Sequence, residues 1–170
     1  MKRSASGRAA APGAAGAARS EADKHWMGMA LREAALAARR GEVPVGAVVV
    51  RDGLLLGRAG NRSIATHDPA GHAEVRALRA GGRAAKNYRI SGATLYVTVE
   101  PCAMCVGVAI QARIGRLVYG CPDPKAGAAG SLYDLPRDRR LNHRMEVTAG
   151  VAAEASRELL RGFFRARRAS

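Results

Sequence analysis

The stretch ATLYVTVEPCAMCVGVAIQARIGRLVY, residues 93–119, decides the fold class. Residues 93–99 are rich in β-branched and aromatic side chains and read as a strand. Residues 102–111 read as a short apolar helix and 114–119 as a second strand. Upstream, 43–50 is a β-branched run, Arg51-Asp52-Gly53 signals a turn, and 54–60 returns as the hairpin partner. A loop over 61–69 leads into a helix from about Gly71 to Arg79, closed by Gly81-Gly82. Ser20 and Asp23 mark the start of an earlier helix. Its apolar positions Trp26, Met29, Ala30, Leu36 and Ala37 recur at helical spacing as far as Gly41. Downstream come a Gly- and Pro-containing loop over 121–136, a short strand at 145–148 and a helix from about Val151 to Arg168. The order α-β-β-α-β-α-β-β-α argues for a sheet covered by helices, an α/β layered domain.

The chain has 170 residues, enough for one domain with a real core. Aromatics are only 4%, so that core must be built mainly from Ala, Val, Leu and Ile. No apolar run approaches the roughly 18 residues that span a bilayer, which excludes an integral helical membrane protein. Three cysteines are too few for a disulfide scaffold and imply a reducing compartment. Residues 1–19 are Ala- and Gly-rich, basic and free of acids, and read as a disordered extension ahead of a single domain over 20–170. They lack the apolar stretch of a secretory signal, so residence is expected in the cytoplasm; an organellar transit peptide is the alternative.

Lys and Arg total 28 against 14 acids, a formal charge of +14. Such a balance points to a polyanionic partner, nucleic acid or an anionic membrane surface, unless it reflects composition alone.

Two short motifs carry chemistry: His72-Ala-Glu74 and Pro101-Cys-Ala-Met-Cys105. Together they supply one imidazole and two thiolates, a sound set for tetrahedral zinc. Three protein ligands leave a position open, as catalytic rather than structural sites do. Cys121 is the rival fourth ligand, and a redox C-x-x-C pair is the rival outside metal binding. Cys102 and Cys105, three apart, can face one point from a single helical turn, where the helix N-terminus favours thiolates. Glu74 lies two residues past His72, beside a metal without binding it, where a proton shuttle belongs. Zinc lowers the pKa of water bound to it to roughly 7.

His72-Ala-Glu74 followed by Pro101-Cys-Ala-Met-Cys105 resembles the signature of zinc-dependent nucleoside and nucleobase deaminases. Further residues resemble one branch, the bacterial tRNA-specific adenosine deaminases. They are Glu42-Val-Pro-Val-Gly-Ala47, Asn61, His67-Asp-Pro69, Thr94-Leu-Tyr-Val-Thr98, Arg113-Ile-Gly-Arg116, 123–131, Leu141-Asn-His-Arg144 and Phe163-Phe-Arg-Ala-Arg-Arg168. The resemblance covers roughly residues 20–168. It implies a three-layer α-β-α cytidine deaminase-like fold around a mixed five-stranded sheet, one Zn²⁺ per subunit and a homodimer. The implied activity converts the wobble adenosine (position 34) of an arginine tRNA, held in its anticodon stem-loop, to inosine.

The resemblance assigns His72, Cys102 and Cys105 to zinc and Glu74 to general acid/base work. It assigns Asn61, Asp123 and Asn142 to the target nucleoside or its neighbours; Asn61 could instead form a simple Asx turn, and Asp123 could be only a turn residue. Lys125, Arg139, Arg140, Arg144, Arg165, Arg167 and Arg168 are candidates for phosphate contact, against the plain reading of solvated surface. Phe163 and Phe164 are expected to pack on the body, and His143 has a plain reading as a loop residue bonding backbone. Ser63 departs from a proline frequent in the family, and Cys121 stands where a small residue is usual. The resemblance implies a tRNA partner and no membrane; small-molecule deaminases share the zinc residues but need no extended basic surface.

Overall fold

The computed structural model describes residues 14–169. Its elements are α1 (Ala14–Arg39), β1 (Gly46–Arg51), β2 (Leu54–Gly60), α2 (Ser63–Thr66), α3 (Ala73–Ala85), β3 (Thr94–Val99), α4 (Ala103–Gln111), β4 (Arg116–Cys121), β5 (Glu146–Thr148) and α5 (Ala153–Arg168). The sheet order is β2-β1-β3-β4-β5. β1 runs antiparallel to β2 and β3, while β3, β4 and β5 are parallel, so the sheet is mixed as expected. The β1–β2 turn takes positive φ at both Asp52 and Gly53, the backbone of a tight hairpin.

Alternation along the strands divides the interior in two. Ala47, Val49, Leu95, Val97, Leu117 and Tyr119 point to the face covered by α3 and α4. Val48, Val50, Tyr96 and Val118 point to the opposite face, against Met27 and Ala30 of α1. Residues buried on both faces explain why these strands read as continuous apolar runs. The expected three-layer α-β-α fold is present.

Several local expectations change. α1 starts at Ala14, not at Ser20, because its Ala-rich lead-in is itself a good helix former. Residues 14–19 of the expected extension are therefore helical, and 1–13 lie outside the described residues. The buried stripe of α1 is Asp23, Met27, Ala30, Ala34 and Ala37, whereas Leu36 is 37% exposed. Large side chains misled there. The helix seats on the sheet through its small residues, since a Cβ on Gly46 would lie 1.9 Å from the Ala30 carbonyl oxygen. Gly46→Ala should therefore destabilise the chain by about 3 kcal/mol, the upper range for overpacking. Urea unfolding checks this; a change under about 0.5 kcal/mol, the range of neutral surface substitutions, would mean that α1 yields freely.

The Gly81-Gly82 pair does not end α3, which continues to Ala85 and closes on left-handed Lys86. The glycines serve packing instead. A Cβ on Gly57 of β2 would lie 2.6 Å from the Gly81 nitrogen, so strand and helix backbones meet directly. The strand expected at 114–119 runs two residues later, because the Ile114 N–H closes the end of α4 on the Ala109 carbonyl. The 61–69 loop holds the single turn α2.

One buried ion pair ties the layers together. Arg116 of β4 donates to both carboxylate oxygens of Asp23 on α1, at 2.6 and 2.7 Å. It also donates to Thr148 Oγ1 on β5, and the Tyr96 hydroxyl of β3 donates to Asp23. Burial opposes ionisation of Asp23, but the Arg116 and Tyr96 hydrogen bonds outweigh it and hold the carboxyl below its ordinary value.

Phe163 and Phe164 do not both pack on the body. Phe164 is 44% exposed, and Phe163 is half-buried in a groove between α5 and α1. Their rings meet edge-on at 5.4 Å as neighbours on a helix whose one buried residue is Ser156. Among the described residues no helix is long and apolar enough to cross a membrane.

Candidate metal centre and active site

Two helix starts converge on one point. His72 caps the N-terminus of α3 and Cys102 that of α4, both in extended backbone. Each follows a loop or strand end that delivers the side chain to the same edge of the sheet. His72 Nδ1 lies 3.7 Å from Cys102 Sγ and 3.4 Å from Cys105 Sγ, and the two sulfurs are 3.6 Å apart. A tetrahedral zinc with ordinary bond lengths has ligand-to-ligand edges of about 3.5–3.8 Å. The triangle fits that ion. Among the described residues these three form the one His/Cys/Asp/Glu group able to hold a metal, so Cys121 is not a fourth ligand. Cys121 is buried in β4, its thiol pushed up by desolvation.

The triangle polarises its own members. Cys102 is drawn down to about 4, chiefly by the hydrogen bond from the Cys105 thiol and then by His72. Cys105 is pushed up by that same bond and by burial, and His72 is raised by its bond to Cys102.

Glu74 stands in the first turn of α3 and is 4% exposed. Its Oε2 is buried with no hydrogen-bond partner. Burial, above all, raises its carboxyl. An unpartnered buried carboxyl oxygen beside three metal-binding atoms is what a proton carrier awaiting substrate looks like.

Glu74, His72 and Cys102 line a cavity of about 230 Å³ with Val43, Val45, Asn61, Val99, Glu100, Asp123 and Ala126. The structure thus brings Asn61 and Asp123 to the metal triangle. Asn61 makes no local Asx turn; its Oδ1 accepts from the Ala73 N–H at 2.8 Å, at the start of α3. Asp123 is both a turn residue and part of the wall, its Oδ1 accepting from the Lys125 and Ala126 N–H groups. Asn142 lies outside the cavity, exposed and bonded to Arg113. His143 has the plain role, its Nε2 bonding the Ile114 carbonyl at 2.7 Å.

The basic candidates divide. Lys125, Arg165 and Arg168 line one groove with Leu160, Arg161 and Phe164. Arg167 turns to the other side of α5, over the Phe163 ring. Arg140 is ion-paired with Asp138 at 2.6 Å, and Arg139 and Arg144 are exposed.

Sequence reasoning assigned no role to two carboxylates. Glu42 and Glu100 are 1% and 3% exposed and bond only to backbone and one serine. Their signal was weak but present: each acid abuts an apolar stretch, directly before Val43 and directly after Val99.

Residues 21–168 match the family model of the MafB19-like deaminases. The chain is 48% identical over 151 residues to the tRNA-specific adenosine deaminase of Haemophilus influenzae, covering 88% of this chain and 87% of that protein. This chain belongs to the bacterial tRNA-specific adenosine deaminase family. The family enzyme of Agrobacterium fabrum is 44% identical over 144 residues, with 85% and 95% of the two chains covered. A solved structure from work on A-to-I editing by tRNA:A34 deaminases at the wobble position of transfer RNA superposes with a TM-score of 0.77. It is 43% identical and covers 80% of this chain and 99% of its own. The guanine deaminase of Nitrosomonas europaea is more distant, at 25% identity and a TM-score of 0.69, covering 82% and 83%. Membership makes this deaminase a hydrolytic enzyme, and the redox reading of Cys102 and Cys105 falls with it.

Proposed function

We propose that this chain is a cytoplasmic, homodimeric tRNA adenosine deaminase holding one zinc ion per subunit through His72, Cys102 and Cys105. Its substrate is the wobble adenosine, position 34, of an arginine tRNA; water replaces the 6-amino group, leaving inosine and ammonia. The observation that carries the reading is the buried, unpartnered Oε2 of Glu74 beside the His/Cys/Cys triangle. When bound, zinc supplies Lewis-acid activation of water.

The chain's own residues do the rest. Glu74 takes up a proton from the attacking water and releases it to the departing 6-amino nitrogen. Burial raises its carboxyl, which favours uptake of that proton. Asn61, with its carbonyl oxygen tied to Ala73, offers its amide NH₂ to the base. Val43, Val45 and Val99 line the same cavity and exclude bulk water from the base. Asp123 borders the target nucleoside, while Asn142 is placed to meet only a neighbouring nucleotide. A cavity this small admits one base removed from its stack, which an anticodon loop supplies at little cost. Lys125, Arg165 and Arg168 neutralise phosphates along their groove; Arg139, Arg140, Arg144 and Arg167 lie farther out, and Arg140 must first leave Asp138.

Incubating the zinc-loaded enzyme with individual tRNAs and sequencing position 34, where inosine reads as guanosine, tests the proposal. Conversion of an arginine tRNA is expected, with little reaction when the same adenosine is held in a stable duplex. Filter binding of that tRNA should weaken steeply as salt rises. No inosine at position 34, together with salt-insensitive binding, would instead fit a small-molecule deaminase resembling the guanine enzyme.

A further inference from the structure

Glu100 lines the reaction cavity and grips the segment that carries Asp123 and Ala126, while Glu42, next to the lining residue Val43, grips the turn that follows Asn61. Glu100 follows β3 and is held within the 121–131 segment. Its Oε1 accepts from the Ala129 and Ser131 N–H groups at 3.0 and 2.9 Å. Its Oε2 accepts from the Asp123 N–H at 3.0 Å and from the Ser131 hydroxyl. Together with backbone bonds such as Ala128 N–H to the Pro101 carbonyl, four donors on one carboxylate organise residues 122–131, which contain no helix or strand. The chain winds so closely that a Cβ on Gly127 would lie 2.4 Å from the Glu100 carboxyl carbon. Glu42 treats the 63–66 turn alike. Its two oxygens accept from the Ile64 and Ala65 N–H groups at 3.1 and 2.8 Å, at the start of α2. That turn lies between Asn61 and His72.

We infer that Glu100 and Glu42 are positioning residues. Glu100 sets Asp123 and Ala126 against the bound nucleoside, and Glu42 sets the segment that follows Asn61. Neither is placed to exchange a proton with substrate, because every oxygen is already occupied by backbone or serine donors. Charge-assisted bonds to backbone N–H groups are among the stronger ones available to a loop. Their use lets two irregular segments present side chains with the accuracy usually reserved for regular structure. The inference rests on the proposed reaction for its kinetic consequence, but the clamp itself can be tested without that reaction.

Glu100→Gln keeps the shape but turns an NH₂ group toward backbone donors, so two of the four bonds are lost. Amide hydrogen exchange of the zinc-loaded chain should then quicken at least ~10-fold over residues 123–131, the effect expected on losing charged hydrogen bonds, with α3 and α4 unchanged. With an anticodon stem-loop as substrate, kcat/KM should fall about 10- to 100-fold, mostly through KM, with zinc content and midpoint of unfolding nearly unchanged. Glu42→Gln should act the same way on residues 61–66. A further check uses Gly127→Ala, which displaces the Glu100 carboxyl. It should be damaging alone and only partly less so in Glu100→Ala, because the same Cβ would also lie 2.5 Å from the Asp123 carbonyl oxygen. Unchanged exchange over 123–131 would overturn the clamp. Loss of zinc, or a fall in kcat with KM constant, would overturn the positioning role. Quickened exchange in a chain whose unsubstituted form makes no inosine would sustain the clamp and defeat only the proposed reaction.

Discussion

Glu74→Gln is expected to reduce inosine formation by about 10³-fold or more, the range for removing a positioned general acid–base group. The variant should keep one zinc per chain, since Glu74 is outside the His72, Cys102 and Cys105 triangle. It should also be more stable than the parent. Glu74 is 4% exposed with one oxygen unpartnered, so the chain holds a desolvated carboxyl at a loss of stability. A neutral amide of the same shape removes most of that penalty, the usual opposition between a prepared active site and a stable fold. Inosine yield, zinc content and melting temperature measured on the same sample decide the matter. An active Glu74→Gln variant would remove the proton carrier from the mechanism. An inactive variant lacking zinc would mean that Glu74 supports the metal site rather than the proton path.

The second large effect concerns the layers of the fold. Asp23→Ala leaves Arg116, whose side chain is 12% exposed, without its bidentate partner. Breaking one side of a buried pair costs ~3–5 kcal/mol. Thr148 and the more distant Glu146, at 3.7 Å, retain part of the cation's environment, so the lower end of that range is expected. The melting temperature should fall by roughly 10 °C for a domain of this size. The pH dependence has a definite sign. The folded Asp23 carboxyl lies below its unfolded value of 3.8, so its contribution is fully present above about pH 4–5 and is lost as the pH falls through the folded value. The gap between parent and Asp23→Asn should therefore close in acid and stay constant near neutrality. Replacing both partners, Asp23→Leu with Arg116→Met, should recover much of the loss, since no buried charge is then stranded. A melting temperature within 2 °C of the parent in Asp23→Ala, about 1 kcal/mol or less, would show that water already satisfies the guanidinium.

The metal-binding candidates were legible in the sequence because the spacing within each motif is local, although only the fold brings the two motifs together. Cys102 and Cys105 share one helical turn, and His72 and Glu74 straddle the start of another helix. Asn61 and Asp123 came from family resemblance, and their presence in the cavity wall depends on chain returning from distant positions. Glu42 and Glu100 were missed for a physical reason. Their partners are backbone N–H groups of residues about 20–30 positions away, and a backbone donor leaves no mark in the identity of the residue that carries it. The α1 stripe was misread because an Ala-rich helix offers a small face in several directions. Close approach to Gly46, and not side-chain size, selects which face is used. Gly81-Gly82 misled for the same reason, since glycine marks a helix end and a tight backbone approach equally well.

The residues alone determined the layered α/β class, a candidate ligand set with Cys121 as a rival member, the acid two positions past His72 and a strongly basic chain. They could do so because helix and strand periods, spacing within a turn and charge are properties of neighbouring residues. The tertiary structure decided that Glu74 is buried and unpartnered, that Cys121 stands apart from the triangle, and that Lys125, Arg165 and Arg168 share a groove while Asn142 faces away from the cavity. It also decided that two buried carboxylates hold the walls of the site. Burial and long-range hydrogen bonding are set by which segments meet, and only the packed fold brings those segments together.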